Sequence, residues 1–239
     1  MKILVVSDLH LDWVTHGVPR FEELRRALLV EVVGKAVDEE IDAFLFLGDL
    51  CDPDSGPVVF RAMATSITLA KKLEAYGIEQ VWIPGNHDVI EDGSGTTTLT
   101  PLAAIANDVV HVHVHERPGK VVLKESVTVI TLPFVASSEA YDPESWVEGA
   151  MKGVVGPVVV AGHMTNIPGV TPGEEATEMP RGREVRFPIE KCGRADVLLN
   201  GHFHRQQKTE SGIWIPGSLA RLTFGERSDH QPGFLIVEV

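Results

Sequence analysis

The most regular feature of the chain is a set of short apolar runs, rich in valine, leucine and isoleucine, that end at polar residues. Five of these runs cover residues 2–7, 43–47, 80–83, 158–161 and 197–199. Apolar runs of this length are typical of strands that are buried on both faces. The polar residues that follow would therefore lie at the carboxyl ends of buried strands, where we expect them to gather along one rim.

Two longer segments and three shorter ones complete the predicted secondary structure. Residues 19–40 and 58–76 have apolar side chains at helical spacing, which predicts helices that cover a sheet. Residues 109–115, 120–123 and 127–132 predict consecutive strands. Alternating strands and helices are typical of a layered α/β protein. A chain of 239 residues with 44% hydrophobic content fits a single domain, residues 1–239, built on two packed sheets.

Five polar islands follow the apolar runs and carry side chains that bind metals. They are Asp8-Leu9-His10, Gly48-Asp49-Leu50-Cys51-Asp52, Gly85-Asn86-His87-Asp88, Gly162-His163 and Gly201-His202-Phe203-His204. The two-residue period of an extended chain lets Asp8 and His10 point to the same side, so that they could bind one cation together. Asp49 has two carboxylate oxygens and could bridge two cations.

The chemistry of these islands predicts a pair of divalent metal ions. The candidate ligands are two carboxylates, one amide oxygen and four imidazoles: Asp8, His10, Asp49, Asn86, His163, His202 and His204. This mixed oxygen and nitrogen set suits manganese, iron or zinc rather than calcium or magnesium alone. We expect Mn²⁺ first, with iron or zinc as alternatives. We expect two ions about 3.5–4 Å apart. We assign Asp8, His10, Asp49 and His204 to the first ion, and Asp49, Asn86, His163 and His202 to the second.

The remaining polar groups near the islands suggest how a substrate is handled. His87 has no metal in this assignment, and an imidazole held by a neighbouring carboxylate such as Asp52 is well placed to act as a general acid. Arg205 could contact a phosphate through two parallel hydrogen bonds, although a surface ion pair is an equal alternative. His16 could line the entrance to the site.

Taken together, the five islands resemble the calcineurin-like metallophosphoesterase superfamily. Its pattern of Asp-x-His, Gly-Asp-x-x-Asp, Gly-Asn-His-Asp/Glu, Gly-His and Gly-x-His is met in order from Asp8 to His204. The resemblance implies a four-layer α/β/β/α fold, in which a two-sheet β-sandwich is flanked by helices. It also implies that a metal-bound hydroxide attacks the phosphorus of a phosphate ester while His87 assists the leaving group.

The C-terminal part of the chain resembles, more particularly, the end of the nuclease domain of SbcD-type DNA repair exonucleases. The matching segments are residues 201–207, 213–226 and 233–238, with their Pro-Gly-Ser, Phe-Gly-Glu and Gly-Phe series. This resemblance implies DNA as the substrate and an SMC-like ATPase partner in the relatives. The chain stops near the last predicted strand, so we expect the capping domain and the ATPase-docking segment to be absent.

The charge of the chain bears on the DNA prediction. The sequence has 21 Lys and Arg against 34 Asp and Glu, a formal net charge of −13, whereas proteins that bind nucleic acid usually present a basic surface. Between Arg181 and Lys208, seven basic and three acidic residues give a local excess of +4. This stretch could attract a phosphodiester, or it could be an ordinary solvated loop.

The sequence also carries signals for cellular location and for one further strand. We find no secretory signal and no apolar stretch long enough for a membrane span, and the two distant cysteines are typical of a reducing compartment, which predicts a cytoplasmic protein. A homodimer is common enough to be kept as an alternative. The alternating His111, His113 and His115 belong to no island and predict a solvent-facing strand.

Three functions are compatible with these features. The first is a metal-dependent phosphodiesterase that hydrolyses DNA as an exonuclease or endonuclease. The second is a phosphodiesterase or phosphatase for small nucleotides or other phosphate esters, which would use the same metal site. The third is a non-catalytic scaffold with this fold, which would be expected to have lost ligands, whereas this chain retains all of them.

Overall fold

Strands and helices alternate along most of the chain. The structure, a computed structural model, describes residues 1–106, 111–170, 184–222 and 232–239. Its strands are β1 (Lys2–Val6), β2 (Val14–Thr15), β3 (Val18–Pro19), β4 (Ala43–Leu47), β5 (Glu79–Ile83), β6 (Val112–Val114), β7 (Gly119–Leu123), β8 (Val127–Leu132), β9 (Val158–Gly162), β10 (Val197–Asn200), β11 (Gln207–Lys208), β12 (Ile213–Ile215) and β13 (Leu235–Glu238). Its helices are α1 (Phe21–Arg26), α2 (Val33–Asp38), α3 (Val58–Glu74), α4 (Thr100–Ala106) and α5 (Pro143–Met151).

The strands form two large sheets and one small hairpin. The first sheet has the order β13-β1-β4-β5-β6, and all its neighbours are parallel except β13 and β1. The second sheet has the order β11-β12-β10-β9-β8-β7, and its four central strands are parallel. Among the described residues, strands β2 and β3 pair only with each other. The parallel arrangement brings the carboxyl ends of neighbouring strands to the same edge of each sheet.

Each apolar run supplies side chains to two different layers of the core. In β4, Leu45 and Leu47 face the second sheet and pack in a cluster that includes Val159. Phe44 and Phe46 of the same strand face the other way and pack with residues of the helices, among them Leu69 of α3. Because successive strand residues point to opposite faces, a strand between a sheet and a helix layer needs apolar residues at every position.

A third cluster covers the outer face of the second sheet. Val160 of β9 and Ile130 of β8 pack there against Val147 of α5 and against Phe187. The order of layers is therefore helices, sheet, sheet, helices. The predicted α/β fold, a two-sheet sandwich flanked by helices, is confirmed.

Several predicted boundaries differ from those in the structure. The first helical segment begins at Phe21 rather than at residue 19, because Pro19 pairs with Val14 in the β2–β3 hairpin. Between α1 and α2 the helix continues as a π-helical stretch, Ala27–Val32. Helix α2 ends at Asp38, before the predicted end at Glu40, because Glu40 has a left-handed backbone conformation with φ of 53°. Residues 109–110 of one predicted strand lie outside the described residues.

Within the described ranges, no helix has both the length and the apolar composition needed to cross a membrane.

Candidate metal centre

The polar islands lie in loops at the carboxyl ends of five strands, and the backbone there is unusual. Four candidate ligands have left-handed backbone conformations, with φ of 52° at Asp8, 40° at His10, 62° at Asp49 and 75° at His202. Such conformations are uncommon for residues other than glycine and persist only where the surrounding structure holds them. The loops after β1 and β4 hold each other, since Asp8 N donates to Gly48 O at 2.9 Å.

A first group of ligand atoms consists of the side chains of Asp8, His10 and His204. The three ligand atoms lie within 4.8 Å of one another, and all three residues are buried. His10 Nε2 is 3.1 Å from His204 Nε2, and His204 Nε2 is 4.0 Å from Asp8 Oδ1. Burial lowers the pKa of His10 to about 3 and holds the pKa of His204 well below its usual value. Both rings are therefore neutral near pH 7 and could donate a lone pair to a cation.

A second group consists of Asp49, His163 and His202, whose ligand atoms also lie within 4.8 Å of one another. His163 Nε2 is 3.4 Å from Asp49 Oδ2. Asn86 joins this group, because its Oδ1 lies 3.1 Å from His163 Nε2 and 2.9 Å from His202 Nδ1. The four atoms are the oxygen and nitrogen donors that the sequence predicts for the second ion.

Asp49 lies between the two groups. Its Oδ2 is 3.6 Å from His10 Nε2 in the first group and 3.4 Å from His163 Nε2 in the second. Its Oδ1 accepts a hydrogen bond from the backbone N–H of His87 at 2.9 Å. The two groups share one buried carboxylate, and this arrangement fits a dinuclear metal centre.

The hydrogen bond of His163 fixes which of its ring nitrogens faces the centre. His163 Nδ1 lies 2.5 Å from the carbonyl oxygen of Leu47, and since a carbonyl only accepts, Nδ1 donates. The other ring nitrogen, Nε2, therefore faces Asp49. Burial alone would lower the pKa of His163, but the Asp49 carboxylate outweighs it and raises this pKa to about 9. Binding a cation at Nε2 would therefore displace a proton.

Asp88, which the sequence analysis left without a role, joins two of the loops that carry candidate ligands. Its buried carboxylate accepts hydrogen bonds from Gly85 N at 2.8 Å, Asp49 N at 2.7 Å and Leu50 N at 2.9 Å, and from the hydroxyl of Thr98. It thus joins the loop after β4 to the loop after β5. Burial and the nearby Asp49 carboxylate raise the pKa of Asp88 to about 6. Its place beside Asn86 and His87 in the third island was the only sequence signal.

His87 belongs to neither group of ligand atoms, and its role as an acid without a metal stays a prediction. Its side chain is 25% exposed, and its ring centre is 5.0 Å from that of His10. His87 Nδ1 is 3.9 Å from Asp52 Oδ2, which is longer than a hydrogen bond but close enough for electrostatic attraction. The exposed fraction of His87 lets a substrate reach it beside the candidate ligands.

The two predicted substrate-binding residues, Arg205 and His16, differ in their exposure and in their sequence separation from the candidate ligands. Arg205 directly follows His204 and is half-buried. His16 is exposed in the turn of the β2–β3 hairpin, where its φ is 48°. Their roles in substrate binding stay predictions.

The alternating histidines of the β6 region are half-buried rather than solvent-facing. His115 Nδ1 lies 2.9 Å from Thr131 Oγ1 of the second sheet, and burial lowers the pKa of His115 to about 4. The face that carries these rings points toward the gap between the sheets, which the alternation of the sequence alone could not indicate.

Gly85 lies so close to the candidate ligands that it leaves no room for a side chain. A Cβ at this position would overlap Asp49 Oδ1 and His163 Cε1. We expect Gly85→Ala to weaken metal binding by about tenfold or more, since displaced outer contacts have effects of that size. Metal content after dialysis against Mn²⁺, measured by elemental analysis, checks this expectation.

Gly34 provides a matched control for Gly85. A Cβ at Gly34, in helix α2, would meet no atom within 4 Å. Gly34→Ala should keep its metal content and gain roughly 0.5–1 kcal/mol of stability, because alanine is the better helix former. A normal metal content in Gly85→Ala would contradict the expectation, because it would show that the loops carrying Asp49 and His163 make room for the added methyl group.

Comparisons with known proteins agree with this architecture. The family model described as calcineurin-like phosphoesterase matches residues 1–206. One solved structure superposes with a TM-score of 0.58 at 14% identity, covering 91% of this chain and 90% of the other. The crystal structure of a dimetal phosphatase from Danio rerio superposes with a TM-score of 0.53 at 13% identity, covering 99% of this chain and 91% of the other. At these identities the two structures show a shared fold only.

Proposed function

Because this chain belongs to the calcineurin-like phosphoesterase family, we propose that it hydrolyses phosphate esters at a dinuclear metal centre. The observation that carries the proposal is the position of Asp49, a buried carboxylate, close to ligand atoms of both groups. A single metal site would need only one of these groups. Two groups that share a carboxylate fit a pair of ions that act on one phosphate.

The residues that would hold the ions follow from the geometry. Asp8, His10 and His204 would bind the first ion, Asn86, His163 and His202 the second, and Asp49 both. When bound, such ions supply positive charge that stabilises the phosphate oxygens in the transition state. We propose Mn²⁺ as the first metal to test, since the mixed oxygen and nitrogen donors suit manganese, iron or zinc.

The chain itself supplies the acid of the proposed reaction. His87 is exposed enough to reach a substrate, and its Nδ1 faces Asp52 at 3.9 Å. The protonated ring would donate from Nε2 to the leaving oxygen as the phosphorus–oxygen bond breaks. Asp52 would keep the ring oriented. The Asp49 carboxylate holds the backbone of His87 in place through the bond at 2.9 Å.

We propose DNA as the first substrate to test. The support is the C-terminal resemblance to SbcD-type nucleases, together with Arg205 directly after the candidate ligand His204. An arginine in this position could contact a phosphate next to the one being hydrolysed. Residues 223–231, which carry the Phe-Gly-Glu part of the resemblance, and residues 171–183, which include Arg181 and Arg183, lie outside the described residues.

Small phosphate esters are the second candidate substrate, and the surface charges favour them. Of the basic residues between positions 184 and 208, Arg186 pairs with Glu190 at 2.6 Å and Lys191 pairs with Glu148 at 2.9 Å. Such pairs cancel part of the positive field that a DNA-binding surface needs. The net charge of −13 acts in the same direction.

One assay separates these candidates. The purified protein is given labelled linear duplex DNA, single-stranded DNA, an aryl phosphodiester and an aryl phosphomonoester, each with Mn²⁺ and each with a chelator. The DNA proposal expects metal-dependent cleavage of DNA that weakens as salt rises. Turnover of the aryl esters without DNA cleavage would instead support the small-ester candidate. Two bound ions with no hydrolysis of any substrate would support the scaffold. The homodimer stays an alternative and the cytoplasmic location a prediction of the sequence, as does the expected absence of the segment that docks an ATPase partner in the relatives.

A further inference from the structure

Asn200 is a fully buried residue whose side chain joins two of the loops that carry candidate ligands. It is the last residue of β10, and its side-chain amide makes three hydrogen bonds. Oδ1 accepts from the backbone N–H of Met164 at 2.8 Å, while Nδ2 donates to the carbonyl oxygens of Met164 at 3.0 Å and Gly201 at 2.6 Å. The amide therefore pairs with the peptide groups of Met164 in both directions, as a neighbouring strand would.

These bonds extend the pairing of β9 and β10 beyond the ends of the strands. The last aligned pair is Asn200 with Gly162, and Gly201 N donates to Gly162 O at 2.9 Å. His163 lies between Gly162, which the strand pairing holds, and Met164, which the Asn200 amide holds. Its backbone is thus fixed on both sides.

The same amide also fixes the approach to His202. Nδ2 holds the carbonyl oxygen of Gly201, and the chain turns immediately afterwards into the left-handed conformation of His202, with φ of 75°. The rings of His163 and His202 lie 5.4 Å apart at 72°. One buried side chain therefore controls the backbone at both histidines of the second group.

Asparagine suits this position for a chemical reason. The side chain must accept one hydrogen bond and donate two within a buried site, and a neutral amide does both. Aspartate would place a carboxylate oxygen against two carbonyl oxygens, and alanine would leave a buried N–H and two buried carbonyls without partners.

We propose that Asn200 is a positioning residue for the second metal ion, the ion assigned to Asp49, Asn86, His163 and His202. It acts through the backbone at Met164 and Gly201 and does not touch the ion. This inference rests on the dinuclear centre of the proposed function.

The test is Mn²⁺ binding to the metal-free protein, followed by calorimetry and by electron paramagnetic resonance. Wild-type protein should bind two ions and give the spectrum of a coupled pair. Asn200→Ala should bind one ion with nearly wild-type affinity and the other about 10–100-fold more weakly, the usual size of such outer-shell effects. At two equivalents of Mn²⁺, at concentrations below the weakened dissociation constant, its spectrum should show one bound, uncoupled ion together with free aqueous Mn²⁺. His202→Ala, which removes a candidate ligand of the second ion, should give the same spectrum.

Asn166 supplies the matched control for Asn200. It lies two residues beyond Met164, and its side chain donates to Glu184 at an exposed position. Asn166→Ala should bind both ions as the wild type does. A general loss of structure is recognised by comparing the melting temperatures of the metal-free proteins. If Asn200→Ala does not fold, Asn200→Ser, a neutral variant whose shorter side chain avoids the repulsion that aspartate would bring, is titrated in its place.

The titration distinguishes a failure of the proposed dinuclear centre from a failure of the proposed role of Asn200. A wild-type protein that binds fewer than two ions would contradict the proposed dinuclear function. A wild type that binds two ions, together with an Asn200 variant that also binds two with unchanged affinities and a coupled spectrum, would overturn the role of Asn200 alone.

Discussion

Asp49→Asn is expected to release both metal ions and to lower kcat/KM by on the order of a thousandfold or more, since stabilisation by bound metal is worth several kcal/mol. The reason is the position of Asp49 Oδ2, 3.6 Å from His10 Nε2 and 3.4 Å from His163 Nε2. A neutral amide has one oxygen instead of two and no charge, so it bridges two cations poorly. Elemental analysis of the dialysed variant and kinetics with an aryl phosphodiester measure the two effects.

Asp54→Asn is the control for this variant, because Asp54 is an exposed carboxylate in the loop after the same strand. It should keep both ions and its activity. If Asp49→Asn instead lost one ion and bound the other normally, Asp49 would belong to one group only. The amide oxygen that Asp49→Asn introduces can still accept the hydrogen bond from His87 N, so the loop contact is expected to remain.

His87→Ala is expected to keep both ions but to lower kcat by about a hundred- to ten-thousandfold, the scale of losing a general acid. His87 belongs to neither group of ligand atoms, and its ring is a quarter exposed beside them. The loss should be smaller for a p-nitrophenyl ester than for an alkyl ester, because nitrophenolate leaves without protonation. Steady-state kinetics with both esters, together with metal analysis, provide the measurement.

Asp52, the carboxylate beside His87, provides a second substitution to compare with His87→Ala. Asp52→Asn should lower kcat less than His87→Ala does, and the double variant should be no slower than His87→Ala alone, because Asp52 acts through the ring. Equal losses for the two esters would show that His87 does not protonate the leaving group. Additive effects of the two substitutions would show that Asp52 has a separate role.

The main outline of the fold could be predicted because buried parallel strands need apolar residues on both faces. The run of residues 43–47 is an example, since Phe44 packs under the helices while Leu45 packs between the sheets. The polar residues after such runs could then be placed on one rim by topology alone. That argument places Asp8, His10 and His204 on the same rim before any coordinates are known, and their assignment to one ion was a separate hypothesis.

Other parts of the structure depend on contacts that the sequence does not display. Asp88 acquires its role from backbone N–H groups on two loops, and Asn200 from the peptide of Met164, 36 residues away. Hydrogen bonds to the backbone leave no pattern of side chains to recognise. Helix α5 is different, because Asp142 caps it and Pro143 begins it, which are ordinary start signals that could have been used.

The candidate ligands come from both sheets of the sandwich, so bound metal would affect how firmly the sheets are held together. Asp8, His10, Asp49 and Asn86 follow strands of one sheet, whereas His163, His202 and His204 follow strands of the other. Cations held by both sets would act as crosslinks across the seam, resisting any sliding of one half over the other. Chelation would thus do more than stop hydrolysis: it would loosen the junction of the two halves, and the unfolding temperature would report metal occupancy.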